Sequence, residues 1–117
     1  MRRVVVTGMG LVTPFGIGLE RNWNSLIAGA SGIRAIQSFE VSDLPVKIAA
    51  QVPNGDTASG LFNADDWVPP KDQRKMDGFI VYALAAAAQA VEDAGWAPDD
   101  EESRERTAPD GSIATLV

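Results

Sequence analysis

The sequence predicts an α/β fold with a layered core. The run Val4–Val6 is β-branched without polar alternation, which is typical of a strand covered on both faces by helices. A long stretch of good helix formers, 71–94, begins after two prolines and ends before Gly95. A second strand is predicted over 47–52, so sheet and helix are both expected in one small domain.

The composition excludes several kinds of site. The chain has 117 residues with no cysteine and no histidine, so disulfides, thiolate nucleophiles, imidazole bases and Cys/His metal sites are absent. Its formal net charge is −6, and no Lys/Arg cluster of the kind that binds nucleic acid is present. Polar Thr7 and two glycines interrupt the first apolar run, so neither a signal peptide nor a membrane span is predicted. We expect a cytoplasmic protein with no cofactor, no metal, no nucleic-acid partner and no membrane contact.

The glycines of the opening segment do not form a nucleotide-binding motif. Gly8 and Gly10 match the first two places of a GxGxxG pattern, but Thr13 occupies the third. Pro14 follows it and has no amide hydrogen to offer a phosphate. No Gly-Lys-Ser/Thr sequence follows either, which also excludes a phosphate-binding loop.

A short helix is predicted over 20–28. Trp23, Leu26 and Ile27 have helical spacing on one side, and Gly29 is placed to end the helix. We expect this apolar side to pack on a sheet.

Two segments are predicted to be loops. Segment 53–70 is rich in Gly, Pro, Asn and Asp, so we expect an irregular surface connection anchored by Phe62 and Trp67. Segment 97–110, APDDEESRERTAPD, is strongly charged and is predicted to be a solvated surface loop. The final GSIATLV has the composition of a strand.

The long helix is apolar on nearly every side from Phe79 onward. Such a helix is normally enclosed by other structure, and a chain of 117 residues has difficulty enclosing it. We therefore infer missing partners, either in another subunit or in sequence not present here.

Three segments together resemble one family. They are RRVVVTGMGLVTPFGIGLERNWNSLIAGASGI, FEVSDLPVKIAAQV and QRKMDGFIVYALAAAAQAVEDAGW. Over about residues 2–107, in order and at family spacing, they resemble the N-terminal part of elongating β-ketoacyl-acyl carrier protein synthases, closest to synthase II. The resemblance implies a partial thiolase-like fold, the N-terminal portion of a layered αβαβα architecture, with 1–117 as an incomplete N-terminal part of the synthase domain. It also implies that Gly8 and Gly10 are turn glycines after a buried core strand.

The resemblance implies a function for the full-length protein. Members catalyse the decarboxylating Claisen condensation of an acyl thioester with malonyl-acyl carrier protein in fatty acid biosynthesis, and they dimerise. Their cysteine nucleophile and two histidines have no counterpart here, so we expect no catalytic residue and an inactive fragment. The one site residue that the resemblance suggests is Ile113, in the acyl pocket, where Gly111-Ser112-Ile113 echoes the family's glycine-rich turn.

Several alternatives stay open. For Gln73–Asp77, one interpretation is docking of the acidic carrier protein. The other, which we favour, is a helix start in which Asp72 and Asp77 serve the helix dipole and local pairing, with Arg74 in a structural salt bridge of the full fold. For Asp65–Asp66, an acid/base or metal pair competes with solvated loop charge, which we favour because no second ligand group is near in sequence. The chain could instead be a non-catalytic partner, such as a chain-length-factor-like subunit that completes a thiolase-like fold. It could also be an independent small α/β binding domain.

Overall fold

The computed structural model describes Met1 and residues 3–107, which form two compact units. One unit, here the helical unit, combines Met1–Leu11 with the chain from Ala64 onward. The other, the strand unit, is Val12–Asn63. The strand predicted in 111–117 lies outside the described residues.

The strand unit contains two short antiparallel hairpins. The first joins β1 (Val12–Thr13) to β2 (Gly16–Ile17) through a two-residue connection. The second joins β3 (Arg34–Ala35) to β4 (Ile48–Ala49). Strand β4 falls within the predicted strand 47–52, so the sequence located it correctly although the paired part is shorter.

Helix α1 spans Leu19–Ile27, close to the predicted 20–28, but its apolar residues are not the ones that it buries. Its apolar residues are 58%, 62% and 64% exposed, for Trp23, Leu26 and Ile27 respectively. The buried residue is Asn22, at 5% exposure. The prediction that the apolar side packs on a sheet is therefore wrong for the described residues, because the amide of Asn22 is drawn into the first hairpin.

The helix predicted over 71–94 is interrupted. It consists of α2 (Pro70–Gln73) and α3 (Gly78–Ala94). The break comes at Asp77, whose backbone is extended with φ −74° and ψ 156°, the conformation that Asp favours at the residue preceding a helix. The end is as predicted, since Gly95 adopts a left-handed conformation with φ 61°.

Helix α3 is only partly enclosed within the described part of the chain. Val81, Ala85 and Ala87 are buried, whereas Phe79 is 69% and Leu84 is 41% exposed. Full enclosure of this helix, which its composition predicts, is not reached among these residues.

The segment from Gly8 to Leu11 lies against α3, and its glycines have a different role from the one expected. Neither Gly8 nor Gly10 has a positive φ. A β carbon on Gly8 would collide with the carbonyl oxygen of Ala90 and with Ala94, and one on Gly10 would collide with the carbonyl oxygen of Ala86. The interpretation as turn glycines is therefore wrong: they allow two backbones to approach closely.

The valine run Val4–Val6 is not buried, in contrast to the prediction. These residues are 96%, 75% and 77% exposed, and none of the paired strands among the described residues includes them. Gly10 contacts Ala86, and Gly8, which lies two residues earlier in the chain, contacts Ala90 and Ala94. Two residues of extended chain cover about 6.6 Å, slightly more than the roughly 5.4 Å of one helical turn. The two residues that precede Gly8 therefore reach past Gly95, where α3 has ended. Among the described residues, α3 thus ends before it could cover the valines.

The predicted loop over 97–110 contains helix α4 (Glu101–Thr107), which corrects that prediction. The Asp100 carboxylate accepts a hydrogen bond from the backbone N–H of Ser103 at 2.8 Å, and the Asp100 carbonyl accepts one from Arg104 at 3.2 Å. Acids stand in the first turn of α4 and arginines in its last turn, which suits the helix dipole. The charge pattern attributed to a loop is therefore a capped helix.

Segment 53–70 holds two turns of 3₁₀ helix, at Thr57–Ser59 and Ala64–Asp66. Phe62 is 3% exposed, as expected for an anchor. Trp67 is half-buried, and its indole nitrogen is buried without a hydrogen-bond partner in the described structure.

Candidate functional site

The most chemically distinct surface of the described residues is a basic turn at the end of α2. We define the basic turn as Lys71, Arg74 and Lys75, which are all exposed. Spacings of three and four residues place these side chains on one side of a helical turn. The turn continues beyond α2, because the N–H of Lys75 donates to the Asp72 carbonyl at 3.0 Å.

The basic turn is held in place by Gln73. The side-chain amide of Gln73 donates to Asp65 Oδ1 at 2.8 Å and to the carbonyl oxygen of Val68 at 2.7 Å. These two bonds tie α2 to the preceding 3₁₀ turn. The cations therefore project from a locally fixed backbone, which lowers the entropy lost when a partner binds.

Local pairing neutralises only part of the basic turn. Lys75 Nζ lies 3.9 Å from Asp72 Oδ1, with side-chain exposures of 78% and 34%. An exposed pair at that distance is weak and screened by salt. Within the described chain, Lys71 and Arg74 form no ion pair. The favoured interpretation of local pairing thus agrees with the contact of Lys75 with Asp72, whereas the salt bridge expected for Arg74 in the full fold stays a prediction.

The pair Asp65–Asp66 does not assemble a metal site in the described structure. Asp65 accepts the bond from Gln73, and no group of three or more His, Cys, Asp or Glu side chains that could hold a metal is found in the part of the chain that the structure describes. Both residues are exposed. The interpretation as loop charge therefore agrees with the structure.

Two exposed carboxylates are stabilised in their charged form. Hydrogen bonds from Ser42 and Val41 lower the pKa of Glu40, and those from Ser103 lower the pKa of Asp100. Each carboxylate accepts hydrogen bonds from the backbone of a residue one to three positions further along the chain. These bonds stabilise the local backbone.

The sequence analysis missed two side chains that organise the strand unit. Arg21 donates to the carbonyl oxygen of Phe15 at 2.5 Å and to that of Ser59 at 3.1 Å. Asn22 donates to the carbonyl of Gly18 at 2.7 Å and is hydrogen-bonded to the Thr13 hydroxyl. One signal in the sequence could have identified these two residues. An Arg-Asn pair follows a glycine-rich hairpin, where backbone carbonyl oxygens outside the strand pairing need hydrogen-bond donors.

The remaining predicted site residue, Ile113, lies outside the described residues, so its place in an acyl pocket stays a prediction. None of the helices in the described ranges has the length and apolarity required to cross a bilayer.

Comparison with known proteins identifies relatives of this chain. A family model described as the N-terminal domain of beta-ketoacyl synthases matches residues 1–113. The 3-oxoacyl-[acyl-carrier-protein] synthase 2 of Rhizobium meliloti is 55% identical over 104 residues, which cover 89% of this chain and 25% of the relative. The mitochondrial 3-oxoacyl-[acyl-carrier-protein] synthase of Arabidopsis thaliana is 39% identical over 135 residues. This match covers 99% of this chain and 28% of that relative.

A solved structure shows the same fold. The structure titled "The ishigamide ketosynthase/chain length factor" superimposes with a TM-score of 0.68 at 38% identity, covering 85% of this chain and 23% of that one. The predicted α/β, thiolase-like class is thereby confirmed. The chain spans about a quarter of the length of the relatives it matches.

Proposed function

Because the chain belongs to the beta-ketoacyl synthase family through its N-terminal domain, we propose that it forms the first part of a 3-oxoacyl-[acyl-carrier-protein] synthase of fatty acid biosynthesis. The observation that carries the proposal is 55% identity over 104 residues with a synthase 2. In this proposal 1–117 is an incomplete N-terminal part of the synthase domain, and the full-length protein is a cytoplasmic homodimer.

The proposed reaction joins two thioesters. A thiolate takes the acyl group from its carrier and releases the carrier thiol; malonyl-acyl carrier protein then loses CO₂, and the resulting carbanion attacks the acyl thioester. The products are a 3-oxoacyl thioester, CO₂ and the regenerated thiolate. These 117 residues contain no Cys and no His, so they contribute scaffold and binding surface to this chemistry, and the nucleophile belongs to the remainder of a family-length protein.

Within this function the basic turn has a role that its geometry supports. Carrier-protein docking requires exposed cations on a fixed backbone, because opposite charges steer encounter between proteins. Lys71 and Arg74 meet that requirement, and Lys75 does so in part through its weak pairing with Asp72. We place the docking of acyl carrier protein here, and we keep Ile113 as an acyl-pocket residue of the same proposal.

A chimera tests the proposed function. Residues 1–107 of this chain replace the matching segment of the Rhizobium meliloti synthase 2, and condensation is measured with acyl- and malonyl-acyl carrier protein. We expect 3-oxoacyl product from the chimera and none from a chimera whose nucleophilic cysteine is replaced by alanine. A chimera that is folded and of the parent's oligomeric state but makes no product would contradict the proposal.

A second candidate is a non-catalytic, chain-length-factor-like partner. It is favoured by the similarity to the ketosynthase/chain length factor structure. The purified chain would then bind an intact ketosynthase and change the length distribution of its products. An inactive chimera together with such a shift would favour this candidate over the first.

A further inference from the structure

We infer that Asn54 is a site of spontaneous deamidation, and that the hydrogen bonds between its segment and Phe62 control the rate. Of the four asparagines of the chain, Asn54 alone precedes a glycine. Asn54 and Gly55 are both exposed, and among the described residues the side-chain amide of Asn54 forms no hydrogen bond. Glycine has no side chain, so its backbone nitrogen meets the least steric hindrance when it attacks the preceding residue.

The reaction needs only this dipeptide and water. The backbone nitrogen of Gly55 gives up its proton and attacks the side-chain carbonyl carbon of Asn54, so that a new C–N bond forms and ammonia leaves with a proton from solvent. The product is a cyclic succinimide. Water then opens one of the two C–N bonds of the ring, which leaves either aspartate, with the backbone unchanged, or isoaspartate, in which the backbone runs through the former side chain. In total, one water is consumed and one ammonia is released.

The structure restrains the attacking nitrogen. The N–H of Gly55 donates to the carbonyl oxygen of Phe62 at 2.9 Å, and the N–H of Phe62 donates to the carbonyl oxygen of Pro53 at 2.8 Å. Together they form an isolated parallel bridge between Asn54 and Phe62. While the bridge is closed, the proton of Gly55 is not available to solvent and the nitrogen cannot approach the side chain. Deamidation therefore proceeds from the fraction of molecules in which the bridge is locally open.

Packing around the bridge favours the same glycine that makes Asn54 reactive. A β carbon on Gly55 would lie 2.5 Å from Leu61 Cδ1 and 3.2 Å from Leu61 Cβ, so a larger residue requires Leu61 to move. Isoaspartate adds one carbon atom to the backbone at position 54, which moves the N–H of Gly55 out of line with the carbonyl of Phe62. Because Phe62 is only 3% exposed and anchors segment 53–70, isoaspartate should loosen this anchor, whereas aspartate should leave it in place.

Ageing of the full 117-residue chain at neutral pH tests the inference, with peptide mapping that separates asparagine, aspartate and isoaspartate at each position. We expect both products at Asn54, formed more slowly in the folded chain than in chain unfolded by urea. The control is Asn24, which is also exposed but lies in α1 and precedes Ser25, and there we expect neither product. Equal rates at the two asparagines, or products at Asn54 in the unfolded chain alone, would overturn the inference.

Amide exchange of Gly55 measures the opening of the bridge independently. Phe62→Leu should raise this exchange and the deamidation of Asn54 by the same factor, roughly 5-fold for a core substitution of ordinary effect. Phe39→Leu, at a phenylalanine that is 57% exposed in the strand unit, should change neither rate. Urea below the unfolding transition should accelerate both processes in the wild type, so the test does not depend on the folding of a variant. Faster exchange without faster deamidation would show that the bridge does not control the reaction.

A comparison of the two products tests the effect on the anchor. Asn54→Asp, which has the charge but an ordinary backbone, should have the urea midpoint of the wild type. Aged chain enriched in isoaspartate at position 54 should have a lower midpoint. Equal midpoints for the two would contradict loosening of the Phe62 anchor.

Discussion

Gly10 lies directly against the carbonyl oxygen of Ala86, and a β carbon on Gly10 would occupy the space of that oxygen. The Gly10→Ala variant must move the N-terminal segment away from α3. Overpacking of this kind costs roughly 1–3 kcal/mol of unfolding free energy. We expect a lower urea midpoint with little change in m-value.

Gly78→Ala is the matched control for that measurement. Gly78 begins α3, an added β carbon there meets open space, and its φ is not positive. A Gly to Ala change at such a site stabilises by about 0.4–1 kcal/mol. Equal destabilisation by the two variants would show that contact with Ala86 is not the cause.

Asn22 is expected to be the most sensitive residue of α1. Its Nδ2 donates to the carbonyl oxygens of Gly18 and Gly16, and its Oδ1 accepts from the Thr13 hydroxyl. Asn22→Ala removes these three side-chain hydrogen bonds and should cost roughly 1–3 kcal/mol. The exposed Asn24 provides the control, since Asn24→Ala should change stability by no more than about 0.5 kcal/mol. Thermal unfolding of both variants measures the two losses of stability. A loss no larger for Asn22→Ala than for Asn24→Ala would refute the expectation.

Helix α4 should lose order at acid pH. The pKa of Asp100 is lowered in the folded chain by hydrogen bonds from Ser103, so its stabilising effect is present above the ordinary carboxyl pKa of about 3.8 and is lost as pH falls through the folded pKa. We expect the indole signal of Trp96, whose N–H donates to the Thr107 hydroxyl at 2.9 Å, to change in that range.

Two substitutions at Asp100 separate charge from capping. Asn caps helices as well as Asp does but does not titrate, so Asp100→Asn should keep α4 and remove this acid transition. Asp100→Ala should weaken α4 at every pH. Amide exchange across 101–107 measures both, and an unchanged acid transition in Asp100→Asn would assign it to another carboxylate.

Charge reversal in the basic turn should weaken carrier-protein binding in the chimera. Arg74→Glu replaces an attraction by a repulsion, and we expect KM for malonyl-acyl carrier protein to rise about 5-fold with kcat nearly unchanged, the effect shrinking at high salt. Arg104→Glu, in α4, is the control. Equal effects of both variants would indicate a response to net charge and would argue against docking at the basic turn.

Local chemistry could be predicted from the sequence where a few neighbouring residues decide the outcome. Gly29 and Gly95 mark the ends of α1 and α3 because their left-handed conformation is a property of glycine itself. The loop assigned to 97–110 was wrong because the Asp100 cap was not weighed against the high charge of the segment.

Contacts between residues distant in sequence could not be predicted in the same way. Gly8 and Gly10 resemble turn glycines until their contact with α3 is known. The amphipathic pattern of α1 predicts burial of Trp23, yet hydrogen bonds to a neighbouring hairpin bury Asn22 instead. For the site, exposed cations could be predicted from composition, whereas their attachment through Gln73 depends on an interaction with Asp65 that no local pattern encodes.

The attachment of the N-terminal segment to α3 also has a consequence in time. The backbone N–H of Met9 donates to Asp93 Oδ2 at 2.9 Å across 84 positions of sequence. A ribosome that adds about 5–20 residues per second needs roughly 4–17 s to synthesise that interval. During that interval Gly8 and Gly10 have been made without the helix against which they pack. The earliest part of the chain to be made is thus among the last to find its place.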